Sequence, residues 1–193
     1  MCAGCSVRRV AAVILAAGAS KRLGEPKQLA KVGTENLLER SVRVARKARC
    51  SPIMVVLGAS AESVHAGCEL GDAEVLTNDG WSEGMGTSVG IGVGALRDRD
   101  VEGCVLMTCD MPAVTSAHIR MLSASGEVTG SEYAGRHGVP AYFPASSFEV
   151  LMQLQGDTGA KDFLQSARCV TLIGGELDVD TIEDLERARA SFE

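Results

Sequence analysis

Between residues 13 and 29 the chain reads VILAAGASKRLGEPKQL: an apolar run breaks at Gly18, gathers Lys21, Arg22 and Lys27, and turns apolar again. The small residues Ala16, Ala17, Gly18 and Ser20, with Gly24 beyond them, allow backbone N–H groups to approach an anion closely. Compact ammonium and forked guanidinium groups beside such a loop are suited to phosphate oxygens. The bland alternative is a strand-to-helix turn with a solvated basic face. The spacing is neither the P-loop G-x-x-x-x-G-K-[ST] nor the dinucleotide G-x-G-x-x-G. Two acidic stretches lie far along the chain, Asp110 in MTCDMP and Asp178, Asp180 and Asp184 in DVDTIEDL. Taken alone, Asp110 reads as a turn cap and the last three as N-cap and first-turn acids.

The elements that must carry these residues show in the hydrophobic pattern. AAVILAA precedes NLLERSVRVARKA, PIMVVLG precedes SAESVHAG, and CVLMTCD precedes TSAHIRMLS. Continuous apolar runs alternating with amphipathic segments predict βα units around a mostly parallel sheet buried on both faces. In the first helix Leu37, Leu38, Ser41, Val42, Ala45 and Ala48 share the inward face, leaving Arg40, Arg43, Arg46, Lys47 and Arg49 to water or to the negative C-terminal end. After residue 126 the pattern changes to GEVTGSEYAGRHGVPAYFPASSFEVLMQL, which reads as a hairpin-like excursion beside the site with a short strand AYF between Pro140 and Pro144. GDTGAKDFL then opens a helix, and CVTLIGGELDVDTIEDLERARASF supplies a strand, a turn and a last helix. His65 and His118 fall in helical segments and are expected at the surface; Trp81 and Met85 read as core or lid residues.

With 193 residues, 22 glycines, 46% apolar and only 4% aromatic residues, the expectation is a flexible segment over 1–9 and a single domain over 10–193. A net charge of -6 argues against nucleic acid and anionic membranes as partners, so any phosphate chemistry is local. No apolar run approaches the ~20 residues of a membrane span, and the N-terminus lacks a secretory h-region. Seven scattered cysteines suit reduced thiols in the cytoplasm. Cys2 and Cys5 form a C-x-x-C without a second pair, read as a functionally silent start.

LAAGASKRLGEPKQL resembles the L-A-A-G-x-S-x-R-x-G-x-x-K signature of the MobA-like NTP transferases, the molybdenum-cofactor nucleotidyltransferases that include CTP:molybdopterin cytidylyltransferases. NDGWSEGMGTSVGIGV, MTCDMP, GVPAYF, GDTGAK and DVDTIEDL resemble further family segments in the same order, with Ile182 where proline is usual. The resemblance implies a three-layer α/β/α Rossmann-like nucleotide-diphospho-sugar transferase fold. It places the nucleotide on Leu15, Ala16, Ala17, Gly18, Ser20, Lys21, Arg22 and Lys27, with Asn78, Gly84, Met85 and Ser88 lining the nucleotide or the loop near it. It makes Asp110 a ligand of Mg2+, with Asp180 or Asp178 as the second contact, and assigns the acceptor to His137, Gly138, Pro140, Gly156 and Asp157.

The implied reaction is attack of an anionic acceptor on the α-phosphorus of an NTP. Lys27, Arg22 and Asp110 would act by alignment and charge neutralisation rather than as covalent nucleophiles. A phosphomonoester with a second pKa of about 6 is already ionised, so no strong base is required. The L-A-A-G form resembles the cytidylyl branch, which points to CTP, with molybdopterin carrying its metal as acceptor and a molybdenum hydroxylase as recipient. Two alternatives stay open: transfer to another small phosphate, with GTP guanylyl transfer or a sugar phosphate as examples, and a non-catalytic carrier or maturation chaperone. Loss of Lys27 or Asp110 would favour the carrier, and both are present.

Overall fold

The computed structural model describes residues 8–156 and 160–192; Cys2, Cys5 and Asp157 lie outside them. In chain order the strands are β1 (Val10–Ala16), β2 (Lys31–Val32), β3 (Glu35–Asn36), β4 (Ile53–Leu57), β5 (Glu74–Thr77), β6 (Gly103–Thr108), β7 (Thr129–Tyr133), β8 (Arg136–Pro144) and β9 (Arg168–Thr171). The α-helices are α1 (Leu37–Lys47), α2 (Ala61–Ala66), α3 (Met85–Gly94), α4 (Ser116–Ser123), α5 (Phe148–Leu151), α6 (Lys161–Leu164) and α7 (Ile182–Phe192).

β1 is buried along its whole length and pairs in parallel on both sides, so Ala12 faces Ile53 of β4 and Val105 of β6. The seven-stranded sheet runs β5-β4-β1-β6-β8-β7-β9. The alternation of side chains along a strand sorts β1 into two cores. Val10, Ala12 and Ile14 pack with Leu38 and Val42 of α1 and Ile119 and Leu122 of α4. Ala11, Val13 and Leu15 pack with Val89 and Val93 of α3, Phe148 of α5 and Leu164 of α6. A smaller cluster joins Leu23, Val32 and Leu37 to Leu185 and Ala188 of α7. The architecture is the mostly parallel, helix-flanked sheet that the pattern predicts.

Three local expectations change. The stretch MGTSVGIGVG, read only as part of a nucleotide-side segment, is the helix α3. Its glycines serve close packing: a Cβ at Gly92 would sit 2.4 Å from Val13 Cγ1, and one at Gly86 2.8 Å from the Gln155 backbone nitrogen. Arg40 is not simply solvated, because its Nε donates to the Pro112 carbonyl at 3.1 Å and its guanidinium lies 5.5 Å from the Phe192 ring centroid. His118 is only 2% exposed, because it shares the inward face of α4 with Ile119 and Leu122, where Ser131 of β7 meets it. The excursion after residue 126 is an antiparallel β7–β8 hairpin, turned by Ala134 and Gly135 at φ 48 and 69. Among the described residues the cysteines are free, and burial pushes the thiols of Cys50, Cys104 and Cys109 up to about 12. Among those residues no helix is long and apolar enough to cross a membrane.

Candidate active site

From β1 the chain builds outward through β4 to β5, then returns to place β6 on the other side of β1. Such a reversal leaves a crevice beyond the carboxyl ends of the two strands. Leu15 to Gly18 end β1 and Thr108 to Asp110 end β6, and together they line a cavity of about 350 Å³.

The loop after β1 is held by its own side chains. Ser20 takes φ 51, and its hydroxyl accepts the Lys27 backbone N–H at 3.0 Å. Gln28, fully buried, donates Nε2 to the carbonyls of Ala16 at 2.6 Å and Gly18 at 3.1 Å. These two acceptors fix the orientation of the amide and leave Oε1 buried without a partner among the described residues. Gly58, at the end of β4, allows the neighbouring segment to close in: a Cβ there would lie 2.6 Å from Trp81 Cβ and 2.8 Å from Ala17 Cβ.

Lys27 Nζ donates to Asp110 Oδ2 at 2.6 Å and to Asp180 Oδ1 at 2.8 Å, and Arg22 donates to Asp180 Oδ2 at 2.6 Å. The Lys27 and Asp110 side chains are 14% and 15% exposed, so water screens this contact poorly. Burial alone would lower the Lys27 pKa. The charge of Asp110 and hydrogen bonds to Asp110 and Asp180 outweigh it and hold the ammonium above its ordinary value. Burial likewise opposes ionisation of Asp180, but Lys27 and Arg22 outweigh it and hold that carboxyl below its ordinary value.

The acidic turn is pinned to the site from both ends. The Val179 N–H donates to the Asp110 carbonyl at 2.9 Å. Asp184 acts as the first-turn acid of α7, its Oδ2 accepting the N–H groups of Asp180 at 3.2 Å and Thr181 at 2.9 Å. Asp178 forms no ion pair among the described residues. Burial first, then the charges of Asp110 and Asp180, push its carboxyl up to about 6.

A second cavity of about 370 Å³ adjoins the first and shares Met85, Thr108 and Asp110 with it. Val89, Leu106, Met111, Val139 and Leu164 give it apolar walls, and Tyr133, Arg136, His137 and Asp178 supply polar groups. The Arg136 guanidinium lies 5.8 Å from the Tyr133 ring centroid, and His137 Nδ1 is 3.1 Å from the Leu164 carbonyl.

The structure therefore brings Leu15, Ala16, Ala17, Gly18, Lys27, Gly84, Met85, Ser88 and Asp110 around the first cavity, and His137, Gly138, Asp110 and Asp178 around the second. Other expected contacts stand back from the cavities. Ser20 closes the loop, Lys21 is exposed, and Asn78 donates to Thr87 Oγ1 at 2.9 Å and Ser88 Oγ at 2.8 Å, so it fixes the first turn of α3. Pro140 is buried with its carbonyl on Ser131, and the Gly156 carbonyl accepts the Gly86 N–H at 2.9 Å. Gln28, Gly58, Thr108, Tyr133 and Arg136 escape the sequence reading. Gln28 is a polar residue inside an apolar return, which is its one visible signal.

A divalent cation fits this donor set. Asp110 Oδ1 is buried and unpartnered among the described residues, and Asp178, which forms no ion pair among them, feels the charge of Asp110 more than that of either Lys27 or Arg136. No group of three or more His, Cys, Asp or Glu is arranged to hold a metal ion by itself among the described residues. Two carboxylates with water and phosphate oxygens completing the shell match the habit of Mg2+.

Residues 12–171 match the family model described as MobA-like NTP transferase domain. The chain is 32% identical to the nicotine blue oxidoreductase of Paenarthrobacter nicotinovorans, over 92% of this chain and 95% of that protein. It is 33% identical, with a TM-score of 0.83, to the crystal structure of the Mycobacterium tuberculosis Rv0371c homolog from Mycobacterium sp. strain JC1, over 96% of this chain and 98% of that one. Rv0371c from Mycobacterium tuberculosis H37Rv, crystallised as a complex with manganese, is 29% identical with a TM-score of 0.78, over 95% and 99% of the two chains. The matched span includes the loop after β1 and Asp110, and on that agreement of sequence and fold the chain belongs to the MobA-like NTP transferase family.

Proposed function

We propose that the protein transfers CMP from CTP to a molybdopterin-type molybdenum cofactor and releases pyrophosphate, with Mg2+ as the metal. The observation that carries the reading is that Asp110 lines both cavities while its Oδ2 holds Lys27. One carboxylate thus faces a pocket edged by the phosphate-type loop and a second, apolar-walled pocket suited to a bulky anionic acceptor. Gly18 adds support: it has no left-handed φ, and a Cβ there would meet nothing within 4 Å, so its own chain does not require a glycine. A bare wall beside Lys27 leaves room for a triphosphate.

In this reading Lys27 and Arg22 exchange their carboxylate partners for oxygens of the β- and γ-phosphates when the nucleotide enters. The acceptor phosphate oxygen forms the new bond to the α-phosphorus. The bond from that phosphorus to the bridging oxygen breaks, and its electron pair leaves on pyrophosphate, where Lys27 and Arg22 neutralise the growing charge. A bound Mg2+, held by Asp110 and Asp178, would supply further neutralisation of phosphate oxygens. Asp180 is the weaker ligand candidate in the nucleotide-free site, where Lys27 and Arg22 take both its oxygens, and becomes available to the metal once they turn to the phosphates. The CTP preference rests on the L-A-A-G form, with Ala17 narrowing the wall; a methyl group is worth ~1–3 kcal/mol of discrimination. The product would pass to a molybdenum hydroxylase in the reducing cytoplasm.

The test is pyrophosphate release from CTP and, separately, GTP with Mg2+, with and without molybdenum-loaded molybdopterin. CTP-selective release that requires the pterin supports the reading. Tight CTP binding without release moves the acceptor to another phosphate. Oxidation or reduction of nicotine blue in parallel samples, the activity named for the Paenarthrobacter relative, would overturn it.

A further inference from the structure

The β7–β8 ladder contains a large irregularity beside the second cavity. Tyr133, Glu132 and Ser131 face Arg136, His137 and Gly138 in simple register, but Thr129 then faces Tyr142, so Gly130 alone stands opposite Val139, Pro140 and Ala141. On its other side β8 pairs with β6 only from Gly103↔Pro144 to Leu106↔Ala141. β8 is therefore unpaired on both sides over 139–140, and Gly138 and Val139 at the start of this break line the second cavity. A bulge costs the ladder its backbone partners, and those carbonyls must be satisfied in another way.

Side chains of β7 do this. Tyr133 donates its hydroxyl to the Val139 carbonyl at 3.1 Å, and Ser131, fully buried, donates to the Pro140 carbonyl at 2.5 Å. The Ser131 hydroxyl has one proton and gives it to a carbonyl, so His118 Nε2, 2.7 Å away, must be the donor of the next bond. His118 on α4 is thereby held as the Nε2–H tautomer, and burial favours its neutral form. The side chains of these three residues take no part in the backbone ladders. All three converge on the one segment that departs from them.

We infer that His118, Ser131 and Tyr133 are positioning residues that set the β8 bulge, and through Gly138 and Val139 the shape of the acceptor cavity. The inference rests on the proposed assignment of the second cavity to the acceptor. His118 and Ser131 act through β8 and leave the nucleotide loop untouched.

The test is steady-state kinetics with CTP and molybdenum-loaded molybdopterin, joined to amide hydrogen exchange of the free protein. Ser131→Ala and His118→Leu should raise KM for the acceptor about tenfold, the scale of one lost buried hydrogen bond, while kcat and KM for CTP stay within about twofold. His118→Gln keeps a donor at the ε position and should restore the acceptor KM. Exchange at Gly138, Val139 and Ala141 should quicken in the first two variants and return in the third. A parallel rise in both KM values, or no change in either, overturns the inference. Should the wild type release no pyrophosphate with this acceptor, the functional reading fails, and exchange alone decides: unchanged protection at 138–141 overturns the inference. Should either variant fail to fold, Tyr133→Phe, which removes one hydroxyl, takes its place in the exchange measurement alone, because Tyr133 itself lines the second cavity: unchanged exchange at Val139 then overturns the inference.

Discussion

Replacing Asp178 by asparagine should make the metal-free protein more stable and its metal binding worse. The carboxyl is raised from 3.8 to about 6, by burial first and then by Asp110 and Asp180. A raised acid binds its proton more tightly folded than unfolded. Its contribution is therefore favourable below about pH 4 and is lost as pH rises through about 6, leaving a standing cost at neutral pH. Two units correspond to about 3 kcal/mol, and screening of a half-buried group reduces this to about 1–2 kcal/mol. For a chain of this size that is about 3–6 °C in Tm. Thermal melts at pH 7.5 and pH 5 without divalent ions measure it: Asp178→Asn should melt higher at pH 7.5, and the difference should fall by about half at pH 5, where the folded carboxyl is mostly protonated but the unfolded one, near its ordinary 3.8, is still ionised. Adding MnCl2 should then stabilise the wild type more than the variant, because only the wild type regains a partner for the charge. A variant no more stable at pH 7.5, or an advantage undiminished at pH 5, would refute the electrostatic reasoning.

Gly18→Ala should leave the melting temperature within about 1 °C, since the added methyl meets open space, yet weaken CTP binding tenfold or more by filling the cavity wall; thermal shift with and without CTP reads both. Gln28→Leu strands the carbonyls of Ala16 and Gly18 and should cost about 2–3 kcal/mol in urea unfolding; a neutral result would show that the amide does not hold the loop. Lys27→Ala removes the shared partner of Asp110 and Asp180, leaves their charges facing Asp178, and should lower stability by about 3 kcal/mol at pH 7.5 and by less at pH 5.

The loop and the order of the βα units were legible because each rests on local signals, a cluster of small and basic residues and runs of apolar ones; Asp110, Asp178 and Asp180 taken alone read as caps, and only the resemblance set them at one site. What was not legible depends on tertiary approach. α3 carries Gly86, Gly90, Gly92 and Gly94, which by propensity argue against a helix; it forms because Gly92 lets it sit on Val13 and Gly86 lets it meet Gln155. His118 looks like any polar helical residue until β7 offers Ser131. The division of labour between Asp178 and Asp180, two residues apart, follows from which one Lys27 and Arg22 reach, and that contact spans the whole chain.

Whether the site moves a nucleotidyl group is decided by following the phosphorus. CTP labelled with 32P at the α position is incubated with the protein, Mg2+ and molybdenum-loaded molybdopterin, beside the Asp110→Ala variant. The account predicts label on the pterin product, unlabelled pyrophosphate, and loss of transfer by at least about a thousandfold in a variant that still melts cooperatively. Label that stays in CTP, or transfer that survives the loss of Asp110, would contradict it.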